Sequence, residues 1–279
     1  MPIDTDNHND TLKISLHCPY VEQNKPSPSG YCQKVETIFR LVSFDRYTLV
    51  PTPFRASPTG KLPFITIHHH GGGGSDAPPH AEVIADSHFI VRKLIQRGII
   101  PDPDAALTEA QRADSRALSI WTEHHLYPAI VQQRWGRDHN AHALLAALPL
   151  PWFGRPLIAW YLRRSILSSL WTMGIGRYAD AEVDEYVTEW LQALETRLAD
   201  GRDWLLATTT GADALPHSVD ATVWAFLANC LGVGVGNTEV IAGIRERPMV
   251  CAFIRRGAAR WFPEYDVEKM LLDAPPPSL

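Results

Sequence analysis

The segment that decides the fold is Ser29–Glu36, which reads SGYCQKVE. From Tyr31 onward, apolar residues return at helical spacing as far as Val42, so a helix is predicted to begin here. Ser29 stands just before it, where a serine oxygen commonly accepts a hydrogen bond from a free backbone N–H. The same helix end concentrates unpaired N–H groups and partial positive charge, which favours an anion. Ser29 is therefore either a simple helix cap or a group that contacts a negatively charged ligand.

The neighbouring segments predict the element order β-α-β-β-β-α. Lys13–Cys18 alternates polar and apolar residues, as a strand with one buried face does. A second helix is predicted from Ser87, after three further strand-like segments at 47–50, 64–67 and 82–85. Loops rich in proline, glycine and serine separate these segments. The order describes an α+β domain.

A proline-rich linker, Pro101–Asp104, divides the chain, because proline breaks helices and stiffens connections. Every segment after it has a helical pattern. Thr108 and Gln111 have the spacing of a capping box, which opens a long helix that Pro128 is expected to kink. We therefore expect two domains, an α+β domain at 11–100 and an all-helical domain at 105–270.

The composition is that of an ordinary globular protein, with 279 residues, 45% of them hydrophobic and 20% charged. The net charge of −5 argues against a nucleic acid partner, because nucleic acid binding usually needs a basic face. The four cysteines have no paired spacing and indicate reduced thiols. Residues 1–10 lack the features of a targeting signal, and no run of about 18 apolar residues is present. We expect a cytoplasmic protein with no membrane partner.

Two later motifs accompany Ser29–Glu36: Gly60–Ile65, with the sequence GKLPFI, and Ile84–Ser87, with the sequence IADS. In this order the three motifs resemble the glutathione site of glutathione transferases, and they look closest to the metaxin-like branch that includes the failed-axon-connections proteins. Three further segments resemble the same branch, at 133–135, 174–177 and 259–264. The resemblance implies a thioredoxin-like N-terminal domain that binds glutathione, followed by an all-α C-terminal domain.

The resemblance also implies that Ser29 activates the glutathione thiol. A thiol with a pKa of about 8.5 is mostly protonated at neutral pH, and lowering that pKa by two units needs about 2.7 kcal/mol. A helix end supplies about 0.3–1 kcal/mol and a charge-assisted hydrogen bond about 1.5–3 kcal/mol, so the two together suffice. Tyr31 offers a second hydroxyl near the same place. Cys32 matches the second cysteine of glutaredoxins and is expected to be a structural thiol.

The other two motifs are assigned to the peptide parts of glutathione. Leu62–Pro63 resembles the cis-proline step of thioredoxin folds, which leaves the Leu62 backbone free to pair with an extended peptide. Asp86 and Ser87 fall at a strand-to-helix junction, where family members hold the γ-glutamyl end. A carboxylate suits the ammonium of that end, and a hydroxyl with free N–H groups suits its carboxylate. The alternative is that Asp86 and Ser87 simply cap the helix.

Three other features have ordinary explanations. Lys61 and Lys34 could meet the glycyl carboxylate of glutathione, but surface lysines are the simpler interpretation. The histidine- and glycine-rich tip at 68–80 looks like an insertion, and we predict no metal there because metal ligands need rigid support. Asp220 resembles the capping aspartate of transferase helical domains, although His217 stands where a serine or threonine would normally cap.

These observations predict a glutathione transferase-like enzyme that activates the glutathione thiol for attack on a small apolar electrophile. Two alternatives are a glutathione-assisted isomerase or lyase and a non-catalytic, metaxin-like interaction protein. A homodimer is left open. The second substrate is expected between the two domains, where aromatic residues are available: Trp121, Tyr127, Trp152, Phe153, Trp171 and Tyr178.

Overall fold

The structure is a computed structural model that describes residues 12–20, 22–69, 81–148, 153–207, 211 and 214–272. The predicted tip at 68–80 therefore lies mostly outside the described residues, as does Trp152. Within the described part of the chain, no group of three or more histidine, cysteine, aspartate or glutamate residues is placed to hold a metal ion.

The N-terminal half has the predicted order β-α-β-β-β-α, with these bounds: β1 Leu12–Cys18, α1 Gly30–Leu41, β2 Tyr47–Pro51, β3 Phe64–His69, β4 Ala81–Ala85 and α2 Ser87–Gln96. The strands form one four-stranded sheet in the order β2-β1-β3-β4. Strands β1 and β2 are parallel, and the other two pairs are antiparallel. The two helices contact each other, and α1 contacts β1 while α2 contacts β3 and β4.

The second half is helical, as predicted. Its core is a separate cluster of buried apolar side chains from that of the sheet, which supports a division at the linker; the bounds 11–100 and 105–270 stay a prediction. The helices are α3 Glu109–Ile120, α4 Tyr127–Gly136, α5 Asp138–Ala147, α6 Arg155–Met173, α7 Asp180–Leu198, α8 Ser218–Val233, α9 Thr238–Arg245, α10 Pro248–Trp261 and α11 Val267–Leu272.

Two local predictions for the start of the helical half can be compared with the structure. The capping box is confirmed, because Gln111 N–H donates to Thr108 Oγ1 at 3.3 Å and Thr108 N–H donates to Gln111 Oε1 at 3.0 Å. The long helix is interrupted just before Pro128 by a π-helical turn, Trp121–Leu126. Proline has no N–H to donate to the carbonyl four residues before it. A wider turn at this point lets the following N–H reach that carbonyl, so that it is not left without a partner.

The cap of α8 comes partly from the linker, which the sequence did not indicate. Asp104 accepts hydrogen bonds from Ser218 N–H at 2.8 Å and from Ser218 Oγ at 2.5 Å. Asp220 accepts from the N–H of His217 at 2.8 Å and from the N–H of Leu205 at 2.7 Å. Burial raises the pKa of Asp220 to about 6. The linker therefore ties the start of α8 to the junction of the two halves.

None of the described helices is by itself both long and apolar enough to cross a bilayer. One pair meets that criterion only when its two helices are taken together, α8 with α9, and it is bent by 120°.

Candidate functional site

The register of the sheet brings the three predicted motifs together at one end of the strands, which we call the sheet edge. His17 pairs with Phe64 across β1 and β3, and Phe64 pairs with Ala85 across β3 and β4. The end of β1, the start of β3 and the end of β4 are therefore neighbours. Cys32 Sγ lies 3.9 Å from the carbonyl oxygen of His17, which places the first turn of α1 at this edge. Cys32 is buried, as expected for a structural thiol.

The Leu62–Pro63 peptide bond is cis, as predicted. The carbonyl of Pro63 accepts a hydrogen bond from Asp86 N–H at 3.2 Å, so this motif and the start of α2 are in direct contact. Among the described residues, no hydrogen bond involves the backbone N–H or C=O of Leu62. Those two groups are the ones that an extended peptide would use to add itself to this edge. The side chain of Lys61 is exposed beside them.

Asp86 has an unusual backbone conformation, with φ +74° and ψ +129°. A non-glycine residue with positive φ costs about 1–3 kcal/mol, and such residues are concentrated at ligand sites. Its Oδ1 accepts from His88 N–H at 2.9 Å and from Phe89 N–H at 3.4 Å, so the helix-capping role is present. Asp86 itself is exposed, whereas Ser87 is buried. A role for either residue in ligand binding stays a prediction.

Ser29 caps α1, because its Oγ accepts a hydrogen bond from Cys32 N–H at 3.3 Å. Only 9% of the residue is exposed. The loop before Ser29 is hydrogen-bonded to α8, because Asn229 Nδ2 donates to the carbonyl of Ser27 at 2.8 Å. Pro26 lies so close to Gly232 that a Cβ there would come within 2.7 Å of its ring. The cap is therefore present, while contact of Ser29 with a thiol stays a prediction.

Tyr31 connects α1 to the helical half. Its hydroxyl donates to the backbone carbonyl of Glu123 at 2.8 Å. Its ring makes edge-on contacts with Tyr127, at 5.3 Å between centroids, and with Phe226, at 5.1 Å. Burial raises the pKa of the Tyr31 hydroxyl, and the neighbouring Tyr127 contributes to the rise. The proton that a thiolate would need from Tyr31 is thus already donated to a carbonyl oxygen.

Lys34 is not a surface residue, so that expectation was wrong. Its Nζ lies 2.5 Å from Glu123 Oε1, and the two side chains are only 6% and 4% exposed. Tyr31 and Lys34 lie about one turn apart on the same side of α1, and both meet the π-helical turn. The lysine is therefore committed to a buried ion pair between the two halves instead of the glycyl end of a peptide. Nothing near Lys34 in sequence pointed to Glu123.

A cavity of about 250 Å³ lies between the two halves, next to the start of α2. Its lining includes several cationic or titratable groups: Lys34, His88, Arg92, Arg112 and Arg116. Burial lowers the pKa of His88, and Arg116 and Lys34 lower it further. None of the five described aromatic residues suggested for the second substrate lines this cavity. The same lining holds Asp102, Asp104 and the aliphatic side chains of Ile38, Val91 and Ile95, so the cavity combines charged and apolar groups.

Three of the described aromatic residues suggested for that pocket lie elsewhere. Tyr127 packs against Tyr31 and Phe226 in the contact between the halves. Phe153, just before α6, is 77% exposed, and Trp171, on α6, is 58% exposed. Helix α6 packs mainly on α4 and on the short turn Ile175–Arg177 that follows α6. The composition of these segments gave no sign of which face is buried.

Comparison with known proteins agrees with this architecture. A family model for the glutathione S-transferase N-terminal domain matches residues 30–140. The chain is 26% identical over 211 residues to a metaxin-1 homolog of Caenorhabditis briggsae, a match that covers 76% of this chain and 62% of the relative. The chain thus spans less than two thirds of that relative.

Solved structures with the same fold align with nearly the whole length of this chain. A glutathione transferase from Phanerochaete chrysosporium has a TM-score of 0.55 at 14% identity and covers 90% of this chain and 98% of its own. Maleylacetoacetate isomerase from Anaeromyxobacter dehalogenans, with bound dicarboxyethyl glutathione and citrate, has a TM-score of 0.51 at 17% identity and covers 96% of both chains. The fold is that of the glutathione transferases. Residues 30–140 belong to the glutathione S-transferase N-terminal domain family, and the similarity to the metaxin-1 homolog supports the metaxin-like branch.

Proposed function

We propose that this chain is a non-catalytic, metaxin-like interaction protein that keeps the peptide-binding half of a glutathione site and does not activate the thiol. The observation that carries this proposal is the limited availability of both candidate hydroxyls, because Ser29 is almost fully buried and Tyr31 already donates its proton within the protein. Ser29 caps α1 and is 9% exposed, and Tyr31 donates its proton to the carbonyl of Glu123. The sequence similarity to a metaxin-1 homolog supports the same interpretation.

The peptide-binding half fits glutathione. Among the described residues, the backbone N–H and C=O of Leu62 have no partner, and they lie just before β3 at one end of the sheet, where an extended peptide can pair. The exposed carboxylate of Asp86 suits the γ-glutamyl ammonium, and the start of α2 suits the carboxylate beside it. Maleylacetoacetate isomerase, which shares the fold, carries a glutathione derivative in its active site. We expect a dissociation constant between tens of micromolar and a few millimolar, about −4 to −6 kcal/mol.

The thiol-activating half does not fit as well. Lowering a thiol pKa by two units takes about 2.7 kcal/mol, and a helix end alone supplies about 0.3–1 kcal/mol. The remainder would have to come from a hydroxyl hydrogen bond to the thiolate. Ser29 presents little surface for that contact, and Tyr31 has no free proton to donate. Bound glutathione would therefore keep an ordinary thiol.

A glutathione-dependent enzyme, either a transferase or an isomerase, is the second candidate. One observation favours it: two helix N-termini, those of α1 and α2, meet at the same sheet edge beside the strained backbone of Asp86. Such an edge attracts anions and is typical of a ligand site. In this case Ser29 would be the residue that contacts the thiolate.

Turnover measurements separate the two candidates. Wild type, Ser29→Ala and a control variant, Thr108→Ala, are assayed with glutathione and a set of electrophilic and cis–trans isomerisable substrates. The control also removes a hydroxyl that caps a helix, but at the start of α3 and not at the sheet edge. If the chain is an interaction protein, all three proteins should show only the uncatalysed background rate, and calorimetry should detect glutathione binding. If the chain is an enzyme, wild type and Thr108→Ala should turn over substrate above background, and the rate should fall about 10²-fold or more in Ser29→Ala only. That result would overturn the proposal.

A further inference from the structure

Helix α6 has apolar residues on two sides: Ile166, Leu167 and Leu170 face the helical core, and a second set faces outward. Of its 19 residues, Leu170 alone is buried. The outward face instead carries a stripe of large apolar side chains at helical spacing, which are 58–70% exposed: Leu157, Trp160, Tyr161 and Trp171. We call these four residues the α6 stripe. Contiguous exposed apolar surface of this kind usually marks an interaction site.

The orientation of α6 is fixed by polar contacts on its other side. Arg163 donates to the carbonyls of Trp135 and Gly136, each at 2.9 Å, and to Asp138 Oδ1 at 2.7 Å. Arg155 donates to the carbonyls at the end of α5. A rotation that buried the α6 stripe would break these bonds. The outward position of the stripe is therefore a property of the fold.

The charge around the α6 stripe is of one sign. From His139 to Ala179 the chain holds no acidic residue and four arginines, of which Arg155 and Arg163 lie on the inner side of α6, within a protein whose net charge is −5. Arg164 lies on the outward face, with its guanidinium 5.7 Å from the centre of the Trp160 ring. Arg177 lies 5.5 Å from the centre of the Trp171 ring. Both arginines place positive charge directly beside the exposed aromatic rings.

We propose that the α6 stripe docks on an anionic lipid surface, with α6 lying in the plane of that surface. Leucine with tryptophan and tyrosine, flanked by arginine, is the composition of helices that lie at a membrane interface. A second copy of the chain is less well suited, because pairing two α6 helices about a two-fold axis would bring their arginines together without an acidic partner. The sequence argument against a membrane partner rested on spanning segments, and a surface helix does not need one.

This inference is independent of the glutathione site. Its test is sedimentation of the full chain with two kinds of vesicle, pure phosphatidylcholine and an equal mixture of phosphatidylcholine and phosphatidylserine. We expect binding to the mixed vesicles, at least tenfold weaker binding to the neutral ones, and loss of binding as the salt concentration rises.

Two variants and one control locate the contact. We expect Leu157→Ser/Trp160→Ser to weaken binding to the mixed vesicles at least tenfold, and Arg164→Glu to weaken it several-fold. Phe54→Ser changes a side chain that is similarly exposed, at 55%, in the N-terminal half and should bind as wild type does. All of these positions are exposed, so the variants should fold, which a melting curve checks. Equal binding by wild type and the double variant, or no binding to either vesicle, overturns the proposal. It is also overturned if wild type is a dimer in solution that the double variant dissociates.

Discussion

The two sides of the candidate site share one sheet edge but differ in how their polar groups are used. On the side of α1, the hydroxyls of Ser29 and Tyr31 already have partners within the protein. On the side of β3 and α2, the Leu62 backbone has none among the described residues, and the carboxylate of Asp86 is exposed although its Oδ1 accepts from His88 N–H and Phe89 N–H. A motif that matches a family's site therefore fixes where a residue lies. It does not fix whether its polar group is still available to a ligand.

Close packing between the halves accounts for the difference. A Cβ added at Gly30 would come within 2.7 Å of the Phe226 ring, so α1 begins almost in contact with α8. Tyr31 and Lys34 then reach the π-helical turn of the helical half. At the start of α2, Asp86 is exposed, while His88 Nδ1 lies 3.3 Å from Arg116 of α3. The first side serves the contact between the halves, and the second is the one that we propose for a ligand.

The largest effect is expected from breaking the buried ion pair. Glu123→Ala leaves the ammonium of Lys34 buried without its partner, which should lower the free energy of unfolding by about 3–5 kcal/mol. The control is the double variant Lys34→Met/Glu123→Leu, which removes both charges and should recover most of the loss. Urea denaturation measures both. A loss below about 1 kcal/mol in Glu123→Ala would mean that this contact does not hold the halves together.

The next effect belongs to the peptide side. Asp86→Ala removes the group expected to meet the γ-glutamyl ammonium, so glutathione should bind about tenfold more weakly, which is about 1.4 kcal/mol. The variant also loses a helix cap, at about 1 kcal/mol of stability. Calorimetric titration and thermal melting measure the two effects separately. Unchanged affinity would place bound glutathione away from α2.

On the thiol side, Ser29→Ala should cost about 1 kcal/mol of stability as a lost cap and leave glutathione affinity unchanged. The same two measurements apply as for Asp86→Ala. The two sides therefore differ most clearly in glutathione affinity, which should fall in Asp86→Ala and stay the same in Ser29→Ala. A Ser29→Ala variant that bound glutathione tenfold more weakly would show that both sides serve the ligand.

The smallest effect is expected from Tyr31→Phe. The ring contacts with Tyr127 and Phe226 remain, and only the hydrogen bond to Glu123 is lost, at about 0.5–1.5 kcal/mol. Glutathione binding should not change. A clear fall in affinity or in turnover would give Tyr31 the ligand role that the structure assigns to the contact between the halves.

Local patterns in the sequence were sufficient for the elements and for several turns. Alternation in β1, helical spacing after Ser29 and the pair Thr108 and Gln111 each depend on residues a few positions apart. The cis bond at Leu62–Pro63 was reached through the family resemblance. These features are encoded locally or by a motif, and for that reason they could be predicted.

Contacts between distant residues could not be predicted in this way. Lys34 and Glu123 are 89 positions apart, and Asp104 reaches Ser218 across 114. A lysine or an aspartate is usually exposed, so composition favoured the wrong environment for Lys34. Helix α6 is the opposite case, because its apolar residues suggest a core helix and only the packing of Arg155 and Arg163 reveals which face points outward.

The central claim is that the site binds the glutathione peptide without ionising its thiol. Calorimetric titration of wild type with glutathione and with S-methylglutathione, each in two buffers of different ionisation enthalpy, tests it most directly. We predict dissociation constants for the two ligands that agree within about twofold, and the same binding enthalpy in both buffers, because no proton leaves the thiol. Glutathione binding that is tenfold or more tighter than that of S-methylglutathione, with about one proton released per site near neutral pH, would contradict the claim and establish thiol activation.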